Sequence, residues 1–300
     1  MWQRVTGPAG PLNLQGRTVL LVGATSGIGE ALAHQLASAG ATLMVAGRDQ
    51  FKLARLMDAL RSKASAPIHA IRVDLADLGS VALAARQIHE QVSAIHILIA
   101  NAGLLYTGKE PQLTRDGFEL MMGVNHLGNA ALILALQDLV RNAAPARIVV
   151  VASEAHRRAG GEPIDDLMGG PRFSGMRAYN RSKLANILFA RELARRLQST
   201  GVTVYAAHPG VVNTPILDAF ARSRFDRAGL RLARLLFLPP EEAARGILRV
   251  AADPTLEEPS GAYFELGKPN RGSSASNDPL LAQRLWELTE RVLQARGAGS

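Results

Sequence analysis

Short runs in which nearly every position is apolar alternate along the chain with longer stretches whose apolar positions recur every three or four residues. The runs are RTVLLVG (17–23), TLMVAG (42–47), IHAIRVD (68–74), IHILIAN (95–101), RIVVVAS (147–153) and VTVYAAHPG (202–210). None alternates cleanly between apolar and polar, so each predicts a strand covered on both faces. The stretches near 28–39, 50–64, 78–93, 115–142 and 175–199 carry the helical period instead. Farther on, PPEEAARG opens a helix over roughly 240–252, its proline and two glutamates suited to a first helical turn. GAYFEL (261–266) predicts a last short strand, and DPLLAQRLWELTERVLQ (278–294) a closing amphipathic helix. Alternation of this kind gives a doubly wound α/β fold, a parallel sheet of about seven strands with helices on both faces. With no internal repeat, long linker or composition break, a single domain over residues 1–300 is expected, its core at about 14–296 and its short ends loose.

Composition narrows the chemistry. At 47% hydrophobic, 300 residues hold ample material for a full core. The absence of cysteine excludes a disulfide framework, a thiolate nucleophile and any cysteine-ligated metal site. The seven histidines lack metal-ligand spacing such as HExxH, so no metal site is expected. Gly and Pro in MWQRVTGPAGPLNLQG interrupt what a signal peptide would need as an apolar core, and no transmembrane-length apolar run follows; a cytoplasmic protein is expected. A formal charge of +8 raises the question of nucleic acid, but the arginines are dispersed and no nucleic-acid signature appears, so none is expected as a partner.

Two stretches carry candidate chemistry. The first strand runs into VGATSGIGEALAHQLA (22–37), in which Gly23, Gly27 and Gly29 allow a tight turn at the start of a helix. A pyrophosphate suits the N–H groups exposed there, although the G-x3-G-x-G spacing is neither the G-x-G-x-x-G fingerprint nor a Walker loop. About twenty residues beyond the glycines, where an acidic residue would grip a ribose 2′-hydroxyl, the second strand ends in AGRD. The guanidinium of Arg48 instead matches a 2′-phosphate, which favours NADP(H) over NAD(H); Asp49 either caps the next helix or pairs with that arginine. In AYNRSKLAN (178–186), Tyr179 and Lys183 stand one helical turn apart on one face. Both are amphipathic and can lay their stems over apolar neighbours while keeping a wet tip; a cation so placed would also favour the phenolate.

The segments GATSGIG, VDL (73–75), NAG (101–103), VNHLG (124–128), VVASEAH (150–156), YNRSK (179–183) and HPGVVNT (208–214) occur in the order and rough spacing of the short-chain dehydrogenases/reductases, and nearly the whole chain resembles that family. AGRD, VNHLG, ASEAH, HPGVVNT and SGAYFELGKP are most similar to its retinol dehydrogenase-like branch. The resemblance implies a Rossmann fold and interconversion of a carbonyl and an alcohol by hydride transfer, with Tyr179 as acid/base, Lys183 on the nicotinamide ribose, Ser153 on the substrate oxygen and Asn125 holding a water in a relay. Asn125 could instead bend or cap a helix. The resemblance further implies cofactor contacts from Gly23, Thr25, Ser26, Gly27, Ile28 and Gly29, from Asp74 and Leu75 at the adenine, from Asn101, Ala102 and Gly103 under the ribose, and from Pro209, Gly210 and Thr214 at the carboxamide. Val22 departs from the family, many members of which carry Thr there. His126, His156 and His208 read as structural or as pocket walls, since nothing pairs them with a carboxylate and a nucleophile.

Substrate choice is expected in PILDAFARSRFDRAGLRLARLLFLPP (215–240), which mixes Ile216, Leu217, Phe220, Phe225, Leu230, Leu235 and Phe237 with five arginines. An apolar lid over a lipophilic substrate, a basic helix touching an anionic membrane and an ordinary amphipathic helix all fit this pattern. The helical stretches at 115–142 and 175–199 resemble those through which the family forms homodimers or homotetramers. A redox sensor that binds NADP(H) without turnover is the alternative to an enzyme.

Overall fold

The computed structural model describes residues 4–159, 173–213 and 237–296. The apolar runs form strands β1 (Thr18–Val22), β2 (Thr42–Gly47), β3 (Ile68–Arg72), β4 (Ile97–Ala100), β5 (Ala146–Val151), β6 (Val202–His208) and β7 (Tyr263–Glu265), followed by β8 (Lys268–Asn270). They hydrogen-bond in the order β3-β2-β1-β4-β5-β6-β7-β8, parallel but for the antiparallel β7–β8 edge. The helices are α1 (Gly27–Ser38), α2 (Gln50–Arg61), α3 (Leu78–Gln91), α4 (Asn129–Ala135), α5 (Gln137–Asn142), α6 (Gly175–Arg196), α7 (Pro240–Ala252) and α8 (Pro279–Gln294).

Successive strand residues point to opposite faces, and both faces are covered. Leu20, Met44, Leu98, Ile148 and Val204 pack with α3, α4, α5 and α6, whereas Leu21, Val45, Ile99, Val149 and Tyr205 pack with α1, α2 and α7. This two-sided burial is why the strands lack polar alternation. Asp49 accepts from the backbone N–H groups of Phe51 and Lys52 at 3.0 and 3.1 Å, which starts α2; Asp278 does the same for α8 through Leu280 and Leu281. The chain reverses its strand order between β1 and β4, so the carboxyl ends of those two strands open a crevice.

Three features differ from the sequence expectation. The stretch 115–142 is no single helix: a π-helical segment (Met122–Gly128) precedes α4, and the helix breaks again at Leu136. Asn129 accounts for part of this, since its amide donates to the carbonyls of Val124 and Asn125 and to that of Ala102 across the crevice. An eighth strand exists because Leu266 and Gly267 both adopt positive φ, 53° and 77°, and fold KPN back on β7. A leucine at the first of these positions gave no turn signal. The segment ahead of Leu14 is pinned, not loose: Thr6 N–H donates to Leu266 O at 2.9 Å and Ala9 N–H to Asp253 Oδ2 at 3.0 Å.

Candidate active site

The crevice is a cleft of about 800 Å³ along the carboxyl edge of the sheet. At one end β1 turns into α1. Gly23 has φ +81°, and a Cβ there would come within 2.6 Å of Ala102. A Cβ on Gly29 would run into the carbonyl oxygen of Gly23, so helix and turn meet backbone to backbone. Asn101 steadies the turn by donating from Nδ2 to Gly23 O at 2.9 Å, a brace that does not need a hydroxyl at position 22. Ser26, at the N-cap of α1, makes no side-chain cap, which leaves the leading N–H groups of the helix open to the cleft. Unpaired donors at the positive end of a twelve-residue helix fit an anionic phosphate.

Arg48 lines the cleft from the end of β2 and is exposed. Asp49 is occupied as the cap of α2, and among the described residues no carboxylate forms an ion pair with Arg48. Asp74 and Leu75 line the cleft beyond β3; Asp74 Oδ1 accepts from Ala76 N–H at 3.0 Å, so it is also the turn residue there. Asn101, Ala102 and Gly103 form the floor after β4.

The other end is built from β5, β6 and α6. Ser153 follows β5 in extended conformation and lines the cleft together with Tyr179. Burial pushes the Tyr179 phenol up from its ordinary value, while the nearby Ser153 side chain pulls the other way. Lys183 is 4% exposed; its ammonium lies 5.8 Å from the centroid of the Tyr179 ring and donates to Val151 O at 3.2 Å. Burial pushes that ammonium down to about 8. In this structure burial is the largest influence on the phenol and on the ammonium alike, and each is held toward its neutral form.

Asn125 is fully buried in the π-helical segment and lies behind the cleft wall. Its Oδ1 accepts from Leu104 N–H at 2.7 Å, and its Nδ2 donates to Leu104 O and Ser182 Oγ at 2.9 and 3.0 Å. The side chain is thus occupied in holding the 102–104 floor to α6, with Ser182 Oγ donating in turn to Tyr179 O. Ser182 escaped the sequence reading because nothing in its spacing distinguishes it from any polar helix residue. Pro209 and Gly210 line the cleft after β6, whereas Thr214 lies outside the described residues.

The three histidines have separate fates. His126 Nε2 donates to Thr289 Oγ1 at 2.9 Å, and burial pushes the ring down to about 4. His156 bridges two backbone groups near Ser153. His208 lines the cleft and is held neutral, near 4, by burial and then by the charges of His156, Lys183 and Arg157. Glu154, His208 and Glu265 bring ligand-type atoms within 4.8 Å of one another. Arg157 faces Glu265 at 3.8 Å and Asn270 donates to it at 3.0 Å, so that carboxylate is already partnered by groups a cation would have to displace.

Comparison with known proteins decides the family. Residues 17–224 match the short chain dehydrogenase model. Retinol dehydrogenase 12 of Homo sapiens is 38% identical over 292 residues, covering 95% of this chain and 89% of its own. An uncharacterized protein from Mycobacterium paratuberculosis has a crystal structure 31% identical, with a TM-score of 0.74 over 97% of this chain and 98% of that one. A short chain dehydrogenase from Burkholderia cenocepacia in complex with NADP is 25% identical, with a TM-score of 0.68 over 89% of this chain and 100% of its own. The chain belongs to the short-chain dehydrogenase family. Within the family it falls in the retinol dehydrogenase-like branch. This short-chain dehydrogenase is accordingly an oxidoreductase acting on a CH–OH/C=O pair with a nicotinamide cofactor and a small-molecule substrate. Among its described residues no helix is long and apolar enough to cross a membrane.

Proposed function

We propose that this short-chain dehydrogenase interconverts a lipophilic aldehyde or ketone and its alcohol with NADP(H), using Tyr179 as the proton donor and acceptor. The observation that carries this is the meeting of Ser153, Tyr179 and the buried ammonium of Lys183 in the same cleft as the open α1 N-terminus and Arg48.

The residues fit the cofactor end to end. Thr25, Ser26, Gly27 and Ile28 hold the pyrophosphate at the helix start. Arg48 pairs with the 2′-phosphate, while Asp74 and Leu75 bound the adenine and Asn101, Ala102 and Gly103 underlie the ribose. Pro209 and Gly210 would meet the carboxamide, and Lys183 the nicotinamide ribose. Nicotinamide bound there would supply the hydride for reduction. Tyr179 gives its proton to the carbonyl oxygen at the same time, and Ser153 holds that oxygen by a hydrogen bond. A phenol raised by burial stays protonated at neutral pH, the form that reduction requires. The positive charge of Lys183 stabilises the phenolate left behind, and the Asn125–Ser182 link keeps the floor and α6 in register.

The lipophilic substrate rests on the cleft rim. Met176, Val211 and Val212 line it, and the chain that leaves at Asn213 returns to the same rim, where Asn213 N–H donates to Leu238 O at 3.0 Å and Leu238 N–H to Val211 O at 2.9 Å. Of the expected lid, residues 215–240, positions 215–236 lie outside the described residues. The test is turnover of aldehydes and ketones graded by chain length, with NADPH and NADH in parallel. The proposal expects kcat/KM to rise with chain length and to favour NADPH; equal kcat/KM across lengths would remove the lipophilic substrate, and a preference for NADH would remove the role of Arg48.

A further inference from the structure

The 3₁₀ turn that follows Ser153 (Glu154–Arg158) is clasped from the far side by the loop after β8. Arg157 donates from Nη1 to Gly272 O and from Nη2 to Asn270 Oδ1, both at 2.9 Å, and Ser273 N–H donates to His156 Nε2 at 3.2 Å. The His156 imidazole is fully buried, and its Nδ1 donates to Ser153 O at 2.7 Å. A backbone N–H can only donate, so Nε2 must carry the lone pair and Nδ1 the proton; the two contacts fix the tautomer. Tyr263 packs edge-on against the ring with 5.1 Å between centroids, and Gly272, at φ +74°, keeps a side chain away from Nε2.

These contacts converge on Ser153. Its carbonyl accepts twice from His156, from Nδ1 and from the backbone N–H at 3.1 Å, and its Oγ accepts from Ala155 N–H at 3.2 Å. Holding the carbonyl fixes ψ at Ser153, and ψ with χ1 decides where the hydroxyl points. We propose that His156, seated by the 270–273 loop, is a positioning residue that aims the Ser153 hydroxyl at the Tyr179 phenol and the substrate oxygen. This rests on the reading of Ser153 and Tyr179 given above.

Two amide variants separate the ring's two contacts. His156→Asn places its amide near the Nδ1 position and can still donate to Ser153 O; His156→Gln reaches toward the Nε2 position and cannot. Each is measured alone and combined with Ser153→Ala, with kcat and KM for an aldehyde substrate and Kd for NADPH. His156→Asn is expected to keep kcat within about threefold, and His156→Gln to lower it roughly 10- to 100-fold with KM and Kd within about twofold. In the Ser153→Ala background the Gln substitution should cost less than about twofold, since no hydroxyl remains to aim. Equal kcat for Asn and Gln, or the same loss in both backgrounds, would overturn the positioning role and leave His156 as core packing. Turnover unchanged by Ser153→Ala alone would overturn the reading of Ser153 as well, so the two failures are distinct. If neither amide variant folds, Asn270→Ala loosens the clasp from its edge; the proposal then expects a fall in kcat that disappears over Ser153→Ala, and an additive fall refutes it.

Discussion

At Lys183 burial and charge pull against each other. The ammonium is almost wholly removed from water, donates to the strand carbonyl of Val151 and is pushed down to about 8. A cation held at such cost in a core destabilises the fold, so Lys183→Met should raise the melting temperature while abolishing turnover. The sign with pH follows from proton uptake. Between about 8 and the ordinary lysine value the unfolded chain binds more protons, so wild-type stability from this group rises with pH. The gain from Lys183→Met should be largest below pH 8 and shrink above it; a variant that melts lower at neutral pH would contradict this. The Tyr179–Lys183 pairing was legible in the sequence because helical spacing alone puts both on one face. The direction of the Tyr179 shift was not legible, since it depends on how far the ammonium sits from the hydroxyl and how dry the pocket is. Nor was the engagement of Asn125 with Leu104, a contact across the cleft floor that no local pattern encodes.

Among the elements, α1 and its turn are the most tightly specified. A Cβ on Gly29 would run into the Gly23 carbonyl and come within 2.9 Å of the Asn101 amide that braces the turn. Gly29→Ala should cost about 1–3 kcal/mol in a denaturant titration and weaken NADPH binding as well, because overpacking pushes the helix N-terminus off the strand. Unchanged stability and affinity would mean that the turn yields freely. The glycine spacing made this element readable from sequence. The break-up of 115–142 was hidden for the opposite reason. Its apolar periodicity is that of a helix, but Asn129 takes backbone carbonyls out of the usual ladder, and Gly128 packs where a Cβ would meet Leu75 O. Tertiary contacts there override the local pattern.

Over the whole molecule, the N-terminal segment and the C-terminal elements close on each other. Thr6 binds Leu266 in the β7–β8 turn, and Ala9 binds Asp253 at the end of α7, which in turn accepts from Thr255. Deleting residues 1–10 should therefore lower stability by about 1 kcal/mol, or ~2–4 °C in melting temperature. An unchanged melting curve would show the segment to be dispensable. The strands up to β7 were legible, because buried parallel strands announce themselves as apolar runs. The docking of the N-terminal segment was not, since MWQRVTGPAGPLNLQG has neither periodicity nor capping signals, and its backbone N–H groups at Thr6 and Ala9 are held by residues far along the chain. The central claim, that Tyr179 moves the proton, is tested most directly by Tyr179→Phe, with NADPH binding and NADPH-dependent aldehyde reduction measured on the same preparation. The account predicts binding within about twofold of wild type and turnover lower by at least about 100-fold; turnover that survives the loss of the hydroxyl would contradict it.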